Sequence, residues 1–274
     1  MNFIENLRNR IDFYLRRRIK FSRRNYYVSP ESKDGLFDDD VEACSCERYL
    51  YEKYNLEFLK SSTTRMNYLE NLYTIELFDR YLFPEEKDKL EVLDIGAKNW
   101  FYAGGEYFFF RHFCHSLKLD GVEIDAYRLY TSLYSRYEVA KFYSRGLGGA
   151  EYIAGNLLDI NREYDYIIWF LPFVLEYPLM KWGLPLDEFR PVELFEHAYS
   201  LLKNGGMMFV VNQDVEEYEA QQAIYRHAGV EYKLLGKIES CFLEYKYDRY
   251  ASVVVRNLYS KFRQQFPNQR HTER

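Results

Sequence analysis

Between Lys89 and Asn257 short apolar runs take turns with stretches of helical period, a rhythm that few architectures accommodate. KLEVLDIG (residues 89–96) reads as a strand ending in a glycine turn. GVEID (121–125) ends a second strand and AEYIAGN (150–156) forms a third. YDYIIWFL (164–171) is apolar on both faces, as a central parallel strand should be, and MMFVVNQ (207–213) is a fifth strand. Helices are expected from an Asp125 cap to Gly146, from Pro191 to Asn204-Gly205, and over VEEYEAQQAIYRHAG, which Gly229 closes. EYKLLGKIES (231–240) and RYASVVVRN (249–257) follow with too little chain between them for a crossover helix, so they pair antiparallel. The predicted fold is α/β: a doubly wound, mostly parallel seven-stranded sheet with a C-terminal antiparallel hairpin, preceded by an N-terminal helical extension.

The expected division is residues 1–64 for the helical extension, 65–260 for the α/β domain and 261–274 for a polar tail. Residues 1–24 carry eight Lys or Arg against Glu5 and Asp12, with Ile4, Leu7, Ile11, Leu15 and Ile19 at spacings of three and four. That pattern is an amphipathic helix with a basic face. Such a helix either touches a membrane surface or polyanion, or packs on the main domain with its charged side in water; the second is the expectation. A further helix should start at Ser62–Thr64, carry the stripe Met66, Leu69, Tyr73, Leu77 and Tyr81, and stop at Pro84.

A net charge of −5 argues against a general nucleic-acid binder. Cys44, Cys46, Cys114 and Cys241 form no CxxC pair, and no His/Asp/Glu spacing matches a metal site, so free thiols and no metal are expected. No apolar run reaches the roughly 20 residues of a bilayer span, and the N-terminus lacks a signal-peptide core, so a cytoplasmic protein is expected. The 28 Tyr and 21 Phe supply rings with polar tips or edges, suited to half-buried clefts as well as to cores.

Residues 90–257 resemble the class I S-adenosylmethionine-dependent methyltransferases. EVLDIG is similar to the family's first motif, GVEID to its second strand with a terminal acid, AGNLLDI to the segment after its third strand, and LLKNGGMMFVV to the LLKPGG turn entering its fifth. The resemblance implies S-adenosylmethionine as cofactor, held by Asp94, Gly96, Ala97, Lys98, Asn99, Glu123, Ile124, Asn156 and Leu157. In that reading Glu123 accepts hydrogen bonds from the ribose hydroxyls and Asn156, or alternatively Asp159, lies by the adenine. Asp94 matches the acid that recognises the cofactor ammonium or orders the loop. Elementary chemistry agrees with two placements: Gly96 lets a ligand approach the backbone, and open α/β sheets bind ligands at the carboxyl ends of their strands.

One stretch departs from the family pattern. Lys98 and Trp100 stand where it has glycine, and Asp94 to Glu123 spans 123 − 94 = 29 residues, against a usual spacing of about 20. Either Gly104 and Gly105 restore flexibility further on, with Asn99, Trp100 and Tyr102 lining the cofactor, or Lys98 and Trp100 plug the pocket. The segment after the fourth strand (169–189) is long, aromatic and apolar, which suits a small or lipid-like methyl acceptor or a lid. Glu176, His112 and His115 are the candidate bases, and His197 is expected to be structural or exposed. The competing reading is a non-catalytic methyltransferase-like protein that serves as a binding or scaffolding partner. A nicotinamide-dependent dehydrogenase fits poorly, since DIGAKN is not GxGxxG.

Overall fold

A computed structural model describes residues 3–23 and 25–256. The seven strands are β1 (Lys87–Ile95), β2 (Cys114–Glu123), β3 (Ala150–Ala154), β4 (Tyr164–Phe170), β5 (Leu202–Asn212), β6 (Tyr232–Ile238) and β7 (Arg249–Val255). They form one sheet in the order β3-β2-β1-β4-β5-β7-β6. β1 to β5 are parallel, and β7 runs antiparallel to both β5 and β6. This is the doubly wound, hairpin-ended sheet that the sequence predicts. The strand order reverses between β1 and β4, where Ile95 lies between Val122 and Trp169.

Alternation along the strands builds a core on each face. Leu90 and Val92 join Phe109, Phe110, Phe209 and Val253 on one side; Leu93 and Ile95 join Ile167, Phe195 and Tyr225 on the other. The first side also takes in α2 (Val41–Tyr54), α3 (Glu57–Ser62) and α4 (Arg65–Tyr81) through Leu50, Leu59, Leu72 and Phe78. Each such side chain contributes about 1.5–3 kcal/mol by burial. α5 (Ala103–His112) lies against α4. Gly104 and Gly105 make that approach possible: a Cβ on the first would sit 2.5 Å from Leu59 Cδ2, and on the second 2.7 Å from the Asn71 carbonyl oxygen. They serve close helix packing and not the loop flexibility expected of them.

Three helices differ from the sequence reading. α6 is only Arg136–Tyr143, begun by a capping box of Ser135 and Glu138. Asp125 caps nothing because Arg16 holds both its carboxylate oxygens, at 2.8 and 3.1 Å, and the chain after it turns through a Leu129–Ser135 bridge. α8 (Pro191–Ser200) stops short of Asn204-Gly205, which enter β5 as Gly205 N–H donates to the Arg256 carbonyl beyond β7. α9 (Val215–Ala228) is as expected, capped by Asp214 and closed by Gly229 at φ 63°. A short helix, α7 (Glu176–Lys181), follows β4.

α1 (Phe3–Ile19) is packed on the domain, but the other way round from the expectation. Its docked face is Asn9, Phe13 and Arg16, while Ile4, Leu7, Ile11, Leu15 and Ile19 all face outward. Polar chemistry sets this choice. The Asn9 amide donates to the carbonyls of Met180 (2.9 Å) and Leu184 (3.1 Å), and Arg16 reaches Asp125 and the Gly183 carbonyl. Phe13 alone supplies an apolar anchor, among Leu179, Met180 and Leu184. Among the described residues no helix is long and apolar enough to cross a membrane. The polar tail, 261–274, lies outside the described residues.

Candidate functional site

β1 ends at Ile95, and Gly96 turns the chain at φ 72° with open space where a Cβ would be. Lys98 (φ 53°) and Trp100 (φ 47°) then adopt the left-handed conformation without being glycine. Each costs on the order of 1–2 kcal/mol, which the surroundings must offset. Lys98 N–H donates to Glu123 Oε2 (2.9 Å), its carbonyl accepts from the Tyr152 hydroxyl, and Trp100 N–H donates to the Ala97 carbonyl (2.7 Å). The Trp100 indole is fully buried. It donates to Glu106 Oε2 (2.8 Å) and lies on Gly121, where a Cβ would be 2.7 Å from its Cε2. The loop therefore keeps the backbone of a glycine turn, with the indole buried behind it; Trp100 neither lines nor plugs the cavity.

That cavity, of about 580 Å³, opens at the carboxyl ends of β1, β2 and β4, beside the reversal of strand order. Gly96, Lys98, Asn99, Glu123, Ile124, Asn156 and Leu157 line it, as does Tyr102. Asp94 and Ala97, also expected at the cofactor, are fully buried behind its wall. Asp94 acts through Tyr102, whose hydroxyl donates to Asp94 Oδ2 (3.0 Å). Among the described residues, Asp94 Oδ1 and Glu106 Oε1 have no hydrogen-bond partner. Burial pushes the Asp94 carboxyl up to about 8, against the pull of the Tyr102 hydroxyl and with the Glu123 charge adding to it. Burial and then the Asp94 charge raise Glu106 well above the carboxylate range.

Glu123 is the carboxylate at the rim. Its Oε1 accepts from Asp125 N–H (2.7 Å) and Arg136 Nη1 (3.4 Å), and its Oε2 from Lys98 N–H (2.9 Å). A carboxylate has about four acceptor positions, so one stays free on Oε2. Burial raises its pKa; the Arg136 charge opposes this. Above it the Trp182 indole is flanked by Lys98 Nζ (4.9 Å from the ring centre) and the Arg136 guanidinium (5.3 Å). Burial and the Arg136 charge lower the Lys98 pKa. α1 braces the Trp182 turn from outside through the bonds from Asn9 to Leu184 and Arg16 to Gly183.

The far end of the cavity was not legible in the sequence. Tyr73 and Glu70 come from α4, Gln221 from α9, and Tyr245 and Arg249 from the closing hairpin, with Phe170 and Phe173 between. The Tyr245 hydroxyl donates to Glu70 Oε2 (3.1 Å), its ring meets Tyr73 edge-on, and the Arg249 guanidinium lies 4.6 Å over it. Gln221 is buried, and neither side-chain polar atom has a protein partner. Burial raises Glu70, against the Tyr245 hydrogen bond and the Lys98 charge. The only local signal was the phase of α4, where Tyr73 and Leu77 are buried but Met66 faces solvent.

The candidate bases named from sequence lie elsewhere. His112 ends α5 and His115 starts β2, both exposed and at the opposite end of β2 from Glu123. Glu176 opens α7 on the outer surface, and the His197 ring meets the Ile160 carbonyl (3.0 Å). Asn156 lines the cavity, but its side chain accepts from Leu158 N–H (3.0 Å); Asp159 is exposed and off the wall. The fold also gathers Cys46, Glu76 and Cys241, their ligand atoms within 4.8 Å of one another, though Glu76 is paired with Arg80 at 2.7 Å.

No protein-family model matches this chain, and no curated protein matches its sequence. Solved structures similar to it include a SAM-dependent methyltransferase from Aquifex aeolicus (15% identity, TM-score 0.45), covering 68% of this chain and 90% of that one. Magnesium protoporphyrin IX methyltransferase from Synechocystis, with bound SAM, is 12% identical at TM-score 0.44, covering 84% and 100%. A methyltransferase from Clostridium acetobutylicum is 10% identical at TM-score 0.45, covering 77% and 99%. At such scores these likenesses carry no weight for chemistry, and the functional reading rests on the chain's own geometry. The chain's own sheet sets β7 antiparallel between β5 and β6, the closing hairpin that the sequence resemblance led us to expect.

Proposed function

We propose that the cavity binds S-adenosylmethionine and that the protein transfers its methyl group to an acceptor seated at the Tyr73–Tyr245 end. The observation that carries this reading is Glu123: a buried carboxylate at the end of β2, facing a cavity beside the Gly96 turn, with one acceptor position free. A ribose hydroxyl can take that position, and a second contact follows if the 3.4 Å bond from Arg136 yields. The cavity's volume suits a nucleoside with an amino-acid arm. Ile124, Leu157, Leu179 and Phe195 give apolar walls for a base. The bound cofactor supplies an electrophilic methyl; the chain has to align the acceptor and exclude water. Aromatic faces of Tyr73, Tyr102 and Phe170 suit both a sulfonium charge and an apolar acceptor. Gln221 and Arg249 offer hydrogen bonds to a polar group on that acceptor. Glu70, raised by burial, is the group placed to accept an acceptor proton.

Isothermal titration with S-adenosylmethionine and S-adenosylhomocysteine tests this. Binding should occur and weaken at least about tenfold in Glu123→Ala, the loss of a charge-assisted hydrogen bond. A folded protein that binds neither ligand would refute it.

A second reading, a non-catalytic scaffold, draws on the Lys98–Trp182–Arg136 stack above Glu123. Trp182 is 36% exposed, and its ring also meets Phe173. If the stack is a permanent closure, Trp182→Ala should create cofactor binding that the native chain lacks.

A further inference from the structure

The outer face of α1 has no role in the cavity. Six apolar side chains, Phe3, Ile4, Leu7, Ile11, Leu15 and Ile19, are exposed, from 44% at Leu15 to 78% at Phe3, with Leu15 and Ile19 beside Tyr127 and Leu129 of the domain. At 100° per residue they occupy a single arc opposite the docked Asn9, Phe13 and Arg16. Arg18 falls inside the arc and Arg8 and Arg10 at its borders, all exposed. Both acids, Glu5 and Asp12, lie toward the docked side, where Glu5 meets Lys181 at 3.5 Å and Asp12 meets Arg8 at 3.6 Å; Arg10 meets Asp187 at 2.9 Å, and these pairs stay open to solvent, where phosphates can compete for the arginines. Charge is segregated along the whole chain as well: residues 1–24 carry 8 − 2 = +6, leaving −5 − 6 = −11 for the rest. An apolar arc edged by arginines, on a helix pinned by its reverse face, matches the boundary of a bilayer with anionic headgroups.

We propose that α1 seats the protein on anionic phospholipid surfaces, its outer apolar residues entering the acyl boundary and its arginines meeting the phosphates. Charge argues against the other occupants. A second copy of α1 would bring arginine against arginine. The chain's own tail carries Lys261, Arg263, Arg270 and Arg274 against Glu273, the same sign as the face it would cover. A nucleic acid would use the arginines but leave the apolar arc in water. The proposal does not depend on what the cavity binds.

The test is co-sedimentation of the full chain with vesicles of mixed phosphatidylglycerol and phosphatidylcholine, and with phosphatidylcholine alone. The full chain should pellet with the anionic vesicles only. The double variant Leu7→Glu, Ile11→Glu should lower the bound-to-free ratio at least about tenfold, with an unchanged thermal melt because neither residue is packed. Arg8→Ala with Arg18→Ala should weaken binding and reduce its salt dependence. The proposal is overturned if the full chain stays in the supernatant with anionic vesicles, or if the Leu7/Ile11 variant pellets as well as the parent. A dimer in analytical ultracentrifugation that this variant abolishes would assign the face to a second copy instead. Binding of a single-stranded RNA, with no vesicle binding, would assign it to nucleic acid.

Discussion

Asp94 ties the stability of the site to pH. Its carboxyl is buried with one oxygen unpartnered, and its pKa stands at about 8 in the folded chain. In the unfolded chain an aspartate titrates near about 3.9. Between these values the native state keeps a proton that the unfolded state has released. Stability therefore falls as pH rises, by up to about 1.4 kcal/mol per pH unit, and levels off above the folded pKa. From pH 5 to pH 7 the loss from this one group is about 3 kcal/mol at most. Asp94→Asn removes it while keeping an oxygen for the Tyr102 hydroxyl. Glu106 is raised first by burial and only second by the Asp94 charge, so most of its slope persists in the variant, and the quantity to follow is the difference between the two proteins. Urea unfolding at pH 5, 6, 7 and 8, extrapolated to water, provides it. The parent should lose about 2–3 kcal/mol relative to the variant between pH 5 and pH 7. A difference constant with pH would refute the reasoning, since it would mean that Asp94 is already charged in the native protein at pH 5.

Gly121→Ala places a Cβ 2.7 Å from the Trp100 ring and should cost about 1–3 kcal/mol in urea unfolding. Arg136→Met leaves Glu123 buried without its cation; the loss should be about 2–4 kcal/mol at pH 8 and should shrink as the pH is lowered, because without the Arg136 charge burial raises the Glu123 carboxyl further. Glu70→Gln should leave S-adenosylhomocysteine affinity within about twofold by calorimetry and lower methyl transfer to a protic acceptor by at least about a hundredfold.

Much of the Gly96–Glu123 end of the cavity was legible because it is local. Gly96 and Glu123 sit at strand ends, and strand ends are marked by where apolar runs stop. Asp94 was legible as a residue of interest but not as one behind the wall; its direction follows from the pleat of β1, which the apolar run alone does not orient. The glycine loop misled in another way. Lys98 and Trp100 look incompatible with a left-handed turn, and their partners, Glu106 nearby and Tyr152, Glu123 and Gly121 farther along the chain, make it stable. His112 and His115 attracted attention by residue type, yet the crossing through α5 returns the chain to the amino ends of the strands, away from Glu123, before β2 begins.

The order of the strands along the chain and the antiparallel ending were legible in the chain's own periodicity and loop lengths, and the first turn in the glycine that closes β1. Which side of α1 faces inward was decided by Asn9 and Arg16 finding carbonyls and a carboxylate more than a hundred residues away. The Tyr73–Tyr245 end of the cavity likewise exists only because α4, α9 and the last hairpin converge there. Hydrophobic period measures how apolar a face is; it does not record the buried polar groups elsewhere that must be satisfied, and here those set the outcome.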